Sequence, residues 1–186
     1  MSNKSFLSIG IPVFNQGEFL KNAIDSALDQ TLKADEVVVS NNWSTDNTQK
    51  IAESFGDRIK LITPPKFLPM SEHWNFLVSN LKNDWFSILS GDDEAKPQFV
   101  KTIIDGIKKS PFAILVRGGV DFIDKNGKVL NTSKLLSINE ITRPPQTFYE
   151  QLESPKVNFA SFALRKSIWE SVGGFPETME VNGDWG

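Results

Sequence analysis

Cysteine is absent from this 186-residue chain. That excludes disulfides, thiolate metal sites and a cysteine nucleophile. Histidine occurs once, as His73. It lies on a helical stretch beside Trp74 and Asn75, where a packing or surface role fits better than a ligand's. An excess of positive charge is also missing. Twenty Lys and Arg against 23 Asp and Glu leave a formal net charge of −3, the opposite of what a nucleic-acid surface needs to bind phosphates. No window approaches the roughly 18 uninterrupted apolar residues of a membrane span. The opening MSNKSFLSIGIPVF lacks the long apolar core and cleavage site of a secretory signal, so the cytoplasm is the expected compartment. There is no internal repeat, no GxxxxGK[ST] phosphate loop and no GxGxxG dinucleotide fingerprint.

What is present is an ordinary globular composition, 39% hydrophobic and 23% charged. A chain of this length buries about 70% of its unfolded surface in a single domain. The apolar pattern alternates between two periods. Residues 6–13 (FLSIGIPV) read as a buried strand, and 18–28 as a helix. Asn15 and Glu18 are spaced as a capping box for that helix, and Phe14 and Phe19 as its hydrophobic staple. Strands follow at 36–40, 58–63 and 85–89, and helices at 46–55, 71–81 and 97–108. This β-α order predicts a parallel sheet covered by helices.

The second half is less regular. Residues 113–122 and 128–130 flank Asp124-Lys125-Asn126-Gly127, a hairpin signal. A polar loop is expected over 131–146, a short helix over 148–152 and a strand over 158–164. A helix over 167–172 has Ser167 as expected N-cap and Glu170 in the capping-box position.

Open parallel sheets bind ligands beyond the carboxyl ends of their strands. Phe14-Asn15 follow the first strand, Asn41-Asn42-Trp43-Ser44-Thr45-Asp46 the second, and Ser90-Gly91-Asp92-Asp93 the fourth. The aromatic and amides suit a nucleobase. The carboxylate pair suits a hard divalent cation completed by phosphate oxygens. Base, phosphate and cation together point to a nucleotide. A phosphoreceiver-like signalling domain also uses paired acids, but after the first strand rather than the fourth.

Taken in order, SIGIPVFNQGEFLKNAIDSAL, VVVSNNWSTDNT, FSILSGDD, ALRKSIWESVGGF and GDW resemble family 2 glycosyltransferases of the GT-A fold. The resemblance runs over nearly all of the chain. It implies a Rossmann-like, mainly parallel central sheet flanked by helices, with a small antiparallel hairpin. It also implies an inverting transfer from a nucleotide-diphosphate sugar, UDP-type favoured, to a glycan or lipid-linked acceptor. Pro12, Phe14 and Asn15 then pack around the base. Asn41 stands where the family usually has an Asp hydrogen-bonded to the base. Asp92 touches the sugar-nucleotide, Asp93 ligates Mn²⁺ or Mg²⁺, and Asp184 is the general base. Asn75 matches a recurrent Asn and is expected to brace the Asp92 loop. Trp43 replaces a small residue and either closes over the nucleotide or covers the sheet edge. Lys33, Lys66 and Arg117 are candidates to face phosphate.

The whole chain, 1–186, is expected to be one such domain. Residues 1–110 form its nucleotide-sugar half and 111–186 a partial acceptor half. Relatives continue beyond the GDW segment, so the resemblance further implies a fragment of a longer polypeptide, peripheral to the membrane when complete. A domain of this kind that binds nucleotide-sugar without turnover is the alternative.

Overall fold

The computed structural model describes residues 6–133, 141, 143 and 159–176. The first strand, β1 (Leu7–Val13), is buried along its whole length. Its odd-numbered residues Leu7, Ile9, Ile11 and Val13 enter one hydrophobic core. The opposite face of β1 carries Ser8, Gly10 and Pro12, which are small and let a helix approach. A Cβ on Gly10 would sit 3.0 Å from a Leu77 methyl. Helix α1 (Leu20–Leu28) buries Leu20, Ala23, Ile24 and Ala27, the i, i+3, i+4, i+7 stripe that amphipathic spacing demands.

The chain continues as β2 (Glu36–Asn41), α2 (Thr48–Glu53), β3 (Lys60–Ile62), α3 (Met70–Ser79), β4 (Trp85–Ile88) and α4 (Phe99–Lys109). These match the expected order, with ends moved by a few residues. After them come β5 (Leu115–Arg117), β6 (Asp121–Ile123), β7 (Val129–Thr132), β8 (Phe162–Arg165) and α5 (Lys166–Ser171). The central six-stranded sheet runs β3-β2-β1-β4-β8-β5. Its β3, β2, β1 and β4 are mutually parallel, and β8 is antiparallel to both of its neighbours. β6 and β7 form a separate antiparallel hairpin. Its turn is closed by Gly127 N–H donating to the Asp124 carbonyl at 2.9 Å, with Gly127 at φ +79°.

One core lies between the sheet and α1 and α4, with Val100, Ile103, Ile104 and Ile107 from α4. The other holds Leu77 and Val78 of α3, Phe86 and Ile88 of β4, and Trp169 of α5. Each fully buried Leu, Ile or Phe contributes roughly 1.5–3 kcal/mol.

Four local expectations are corrected. The single strand over 113–122 is two, β5 in the main sheet and β6 in the hairpin, with Gly118 N–H donating to the Ser161 carbonyl between them. The start of the expected 131–146 loop belongs to β7. Residues 159–161 form a 3₁₀ turn ahead of β8. Helix α5 is capped from afar, because Asp84 Oδ1 accepts from Ser167 N–H at 3.0 Å and Ser167 makes no side-chain cap. The expected helix over 148–152 lies outside the described residues.

Candidate functional site

The strand order reverses direction at β1, with β2 on one side and β4 on the other. The loops after β1 and β4 therefore part at their carboxyl ends and open a crevice, the position where α/β sheets bind ligands. The loop after β4 stays close to the loop after β1 because residue 91 has no side chain. A Cβ there would lie 2.6 Å from Val13 Cγ1 and 2.5 Å from Gln16 Oε1. Asp92 and Asp93 follow directly. Asp93 is half-buried and Asp92 exposed, and Asp93 N–H donates to the Ser90 carbonyl. Burial pushes the Asp93 carboxyl up to about 6, and the neighbouring charge of Asp92 adds to this against a hydrogen bond from Ser90.

A carboxylate that resists ionisation beside a second carboxylate is relieved by a cation. Among the described residues no group of three or more acidic or His side chains forms a metal cage. Two adjacent carboxylates nevertheless fit a hard divalent ion that takes its remaining oxygens from phosphate and water.

The loop behind this pair is tied to α1. Gln30 Nε2 donates to the Ser26 and Lys96 carbonyls at 2.8 and 2.9 Å. Gln30 Oε1 accepts from Val100 N–H at 3.0 Å, and Ser26 Oγ accepts from Ala95 N–H at 2.9 Å. Lys96 pairs with Asp121 at 2.5 Å, linking the loop to the hairpin.

On the β2 side, three consecutive backbone N–H groups of the β1 loop are held by the STDNT segment. Asn15 N–H donates to Ser44 Oγ at 2.9 Å, Gln16 N–H to Thr48 Oγ1 at 3.1 Å, and Gly17 N–H to Asp46 Oδ2 at 3.0 Å. Hydrogen bonds, first from Thr48, hold the Asp46 carboxyl below its ordinary value. The expected capping box does not form. Asn15 is at φ +54°, its Oδ1 accepts from Thr45 N–H at 2.8 Å, and Phe19 occupies the N-cap of α1. Nor does Phe14 serve as a staple. It is 46% exposed, and its ring meets Phe67 edge-on at 5.2 Å between centroids.

Pro12 lies inside β1, paired with Ser40. Asn41 ends β2 and is buried. Its Oδ1 accepts from Ser44 N–H at 3.1 Å, and its Nδ2 donates to Gln49 Oε1 at 2.6 Å. Asn42 holds the loop after β3 in both directions, donating to the Leu68 carbonyl at 2.8 Å and accepting from Leu68 N–H at 3.0 Å. Trp43, at φ +62°, donates its indole N–H to the Pro64 carbonyl at 3.0 Å. The structure thus brings Pro12, Phe14, Asn15 and Asn41 to one end of the crevice, and Asp92 and Asp93 to its β4 side. Asp184 lies outside the described residues.

His73 is buried and hydrogen-bonded to Ser40 Oγ at 2.8 Å. Desolvation lowers its pKa to about 4. Lys33 is at the wrong end of the sheet for phosphate. Its ammonium caps the Leu28 carbonyl at the C-terminus of α1. With Arg58 it borders a pocket of about 140 Å³ at the amino end of β2, the edge opposite the carboxylate pair. Lys66 lies on the loop after β3, and Arg117 ends β5.

Asn75 braces a different segment from the one expected. Its amide donates to the Phe175 carbonyl at 2.9 Å and accepts from Phe175 N–H at 2.8 Å. Phe67 and Gln49 went unnoticed as site-builders in the sequence. An apolar Phe67 stranded in a loop rich in proline was the one available signal.

A mainly parallel sheet with its crevice between β1 and β4 and a side hairpin is the arrangement of the GT-A fold. Solved structures with this fold include S. aureus TarS 1-349 in complex with UDP. TarS is 16% identical, with TM-score 0.63 over 92% of this chain and 50% of that one. The mannosyltransferase PcManGT from Pyrobaculum calidifontis, in complex with GDP-Man and Mn²⁺, is 19% identical, with TM-score 0.61 over 94% of this chain and 48% of that one. The family model for Glycosyl transferase family 2 matches residues 8–172, and the chain belongs to that family. An uncharacterized glycosyltransferase of Rickettsia typhi, RT0329, is 35% identical over 96% of this chain and 56% of its own length. The chain spans between 18% and 56% of the length of the first five such relatives. No helix among the described residues is long and apolar enough to cross a membrane.

Proposed function

We propose that the chain carries the donor site of an inverting, Mn²⁺- or Mg²⁺-dependent glycosyltransferase. It would move a sugar from a nucleoside diphosphate to the hydroxyl of a glycan or lipid-linked acceptor, in cell-envelope or polysaccharide synthesis at the cytoplasmic side of a membrane. One observation carries this reading: a half-buried carboxyl with a raised pKa, Asp93, stands beside Asp92 at the reversal point of the sheet. The UDP of the TarS structure and the GDP-Man and Mn²⁺ of PcManGT support it by analogy of fold.

Pro12, Phe14, Asn15 and Asn41 would line the nucleoside, Asp92 the sugar-nucleotide, and Asp93 would ligate the cation. A bound divalent ion neutralises charge on the departing diphosphate. Asp184 would take the proton of the acceptor hydroxyl as its oxygen bonds to the anomeric carbon and the bond to diphosphate breaks. Residues 1–110 would form the donor half and 111–186 part of the acceptor half.

Calorimetric titration of UDP and GDP with and without Mn²⁺ tests this. Mn²⁺ should tighten binding about tenfold or more, and Asp93→Ala should remove that gain. In a longer polypeptide, Asp184→Asn should abolish turnover while donor affinity persists. Absence of nucleotide binding at millimolar concentration, with or without metal, overturns the reading.

A further inference from the structure

Residues 89–98 carry the carboxylate pair from β4 to α4. Two like charges sit side by side on that loop, and without a cation their repulsion favours splaying it. Upstream of the pair, Gly91 packs closely on Val13, and Asp93 N–H holds the Ser90 carbonyl. Downstream, residues 94–97 run along the side of α1 and just past its end. Asn22 meets Glu94 at 3.3 Å, an exposed contact. Ser26 Oγ accepts from Ala95 N–H at 2.9 Å, and Thr31 N–H donates to the Pro97 carbonyl at 2.8 Å.

Gln30 lies at the centre of this mooring and is 4% exposed. Its Nε2 donates to the Lys96 carbonyl at 2.9 Å and lies 3.4 Å from the Ala95 carbonyl. Its Oε1 accepts from Val100 N–H at 3.0 Å. That N–H belongs to the first turn of α4, where a helix has no backbone partner of its own, and the N-cap residue Gln98 supplies no side-chain bond. One buried amide therefore holds the end of the loop and the start of the helix together, from 65 to 70 positions away. The task needs a donor and an acceptor on one uncharged side chain, which an amide provides and a carboxylate or thioether does not.

We propose that Gln30 is a positioning residue for the carboxylate pair: it fixes the loop on α1 so that Asp92 and Asp93 are held ready for a divalent cation, and the metal-dependent part of nucleotide binding depends on it. The inference rests on the donor-site reading above. Holding the two acids in place during folding removes an ordering cost from binding. Groups that orient a metal's ligands without touching the metal typically change its affinity by about 10–100-fold.

The test is calorimetric titration of UDP and GDP with and without Mn²⁺, for the 186-residue chain and for Gln30→Met, Ser26→Ala and Ile107→Ala. Gln30→Met fills the same space without the hydrogen bonds. It should cut the Mn²⁺ gain by about tenfold and leave metal-free affinity unchanged. Ser26→Ala should cut the gain by less. Ile107→Ala loosens the far end of α4, where Ile107 is buried, and should keep the whole gain. In the metal-free protein, amide hydrogen exchange at residues 93–96 should quicken in Gln30→Met and not in Ile107→Ala. A full Mn²⁺ gain in Gln30→Met overturns the inference and leaves the donor site standing. So does an equal loss in Ile107→Ala, because the effect would then follow stability alone. If circular dichroism shows Gln30→Met unfolded, Ser26→Ala decides, and a full gain there with unchanged exchange at Ala95 overturns the inference. No Mn²⁺ gain in the natural protein overturns the metal-dependent donor-site reading, and this inference with it.

Discussion

Asp93 sits half-buried beside Asp92, and burial pushes its carboxyl up to about 6 from an ordinary 3.8. Between those values the native state keeps a proton that the unfolded chain has lost, so stability falls as pH rises through the window. At neutral pH the ionised carboxylate then costs about 1–2 kcal/mol, after discounting for solvent around a half-buried side chain. Asp93→Asn should melt higher than the natural protein at pH 8, with the gap closing towards pH 4, while metal-dependent nucleotide binding is lost.

His73 has the opposite sign. Its pKa falls from 6.5 to about 4 because desolvation disfavours the charged ring. Its contribution is complete above pH 6.5 and is lost as pH drops towards 4, on the order of 3 kcal/mol in all. His73→Gln should flatten the acid side of the stability curve. The two groups pull against each other between pH 4 and 6.5, so melts of the separate variants resolve what the natural protein's curve would blend. An unchanged acid slope in His73→Gln would remove His73 as the cause.

At the scale of elements, the loop after β3 depends on one side chain from β2's end. Asn42→Ala removes two buried hydrogen bonds to Leu68 and leaves that backbone unpaired, a loss of about 1–3 kcal/mol. Urea denaturation should show it. Nucleotide affinity should fall as well, because Phe67 loses its anchor; full affinity in a destabilised Asn42→Ala would separate the loop from the site.

This region also shows what a sequence can reveal. β1 to β4 and their helices were readable because burial imprints local periods, and the sheet edge that carries the candidate site followed from one topological rule. The capping-box spacing at Asn15 and Glu18 misled because Asn15 found its partner in Thr45, 30 positions away. Ser167 misled in the same way, since Asp84 caps α5 across 83 positions. Local spacing carries no trace of such partners. The split between β5 and β6 was hidden for a related reason: only pairing with β8 assigns β5 to the main sheet.

Across the whole molecule, α3 joins the two halves of the chain. Its Asn75 clamps Phe175 across 100 positions. Phe175 packs edge-on against Trp74 at 5.6 Å and tilted against Trp169 at 6.3 Å. Gly174 makes the clamp possible. It sits at φ +83°, and a Cβ there would approach Asn75 Oδ1 to 2.8 Å. Gly174→Ala should lower stability by about 1–3 kcal/mol through strain and the displaced amide. Donor binding at the carboxyl ends of β1 and β4 should be unaffected, and a loss of nucleotide affinity at full stability would contradict this separation.

The placement of β8 between β4 and β5 also bears on how the chain is made. Ser87 of β4 donates to the Phe162 carbonyl 75 positions later. At roughly 5–20 residues per second of synthesis, the outer flank of β4 waits on the order of 4–15 s for its neighbour. During that interval the growing chain presents an unpaired apolar strand edge, the surface through which unfinished polypeptides associate. A late-arriving strand thus makes the ribosome-bound stage an interval in which that edge of the sheet stands open.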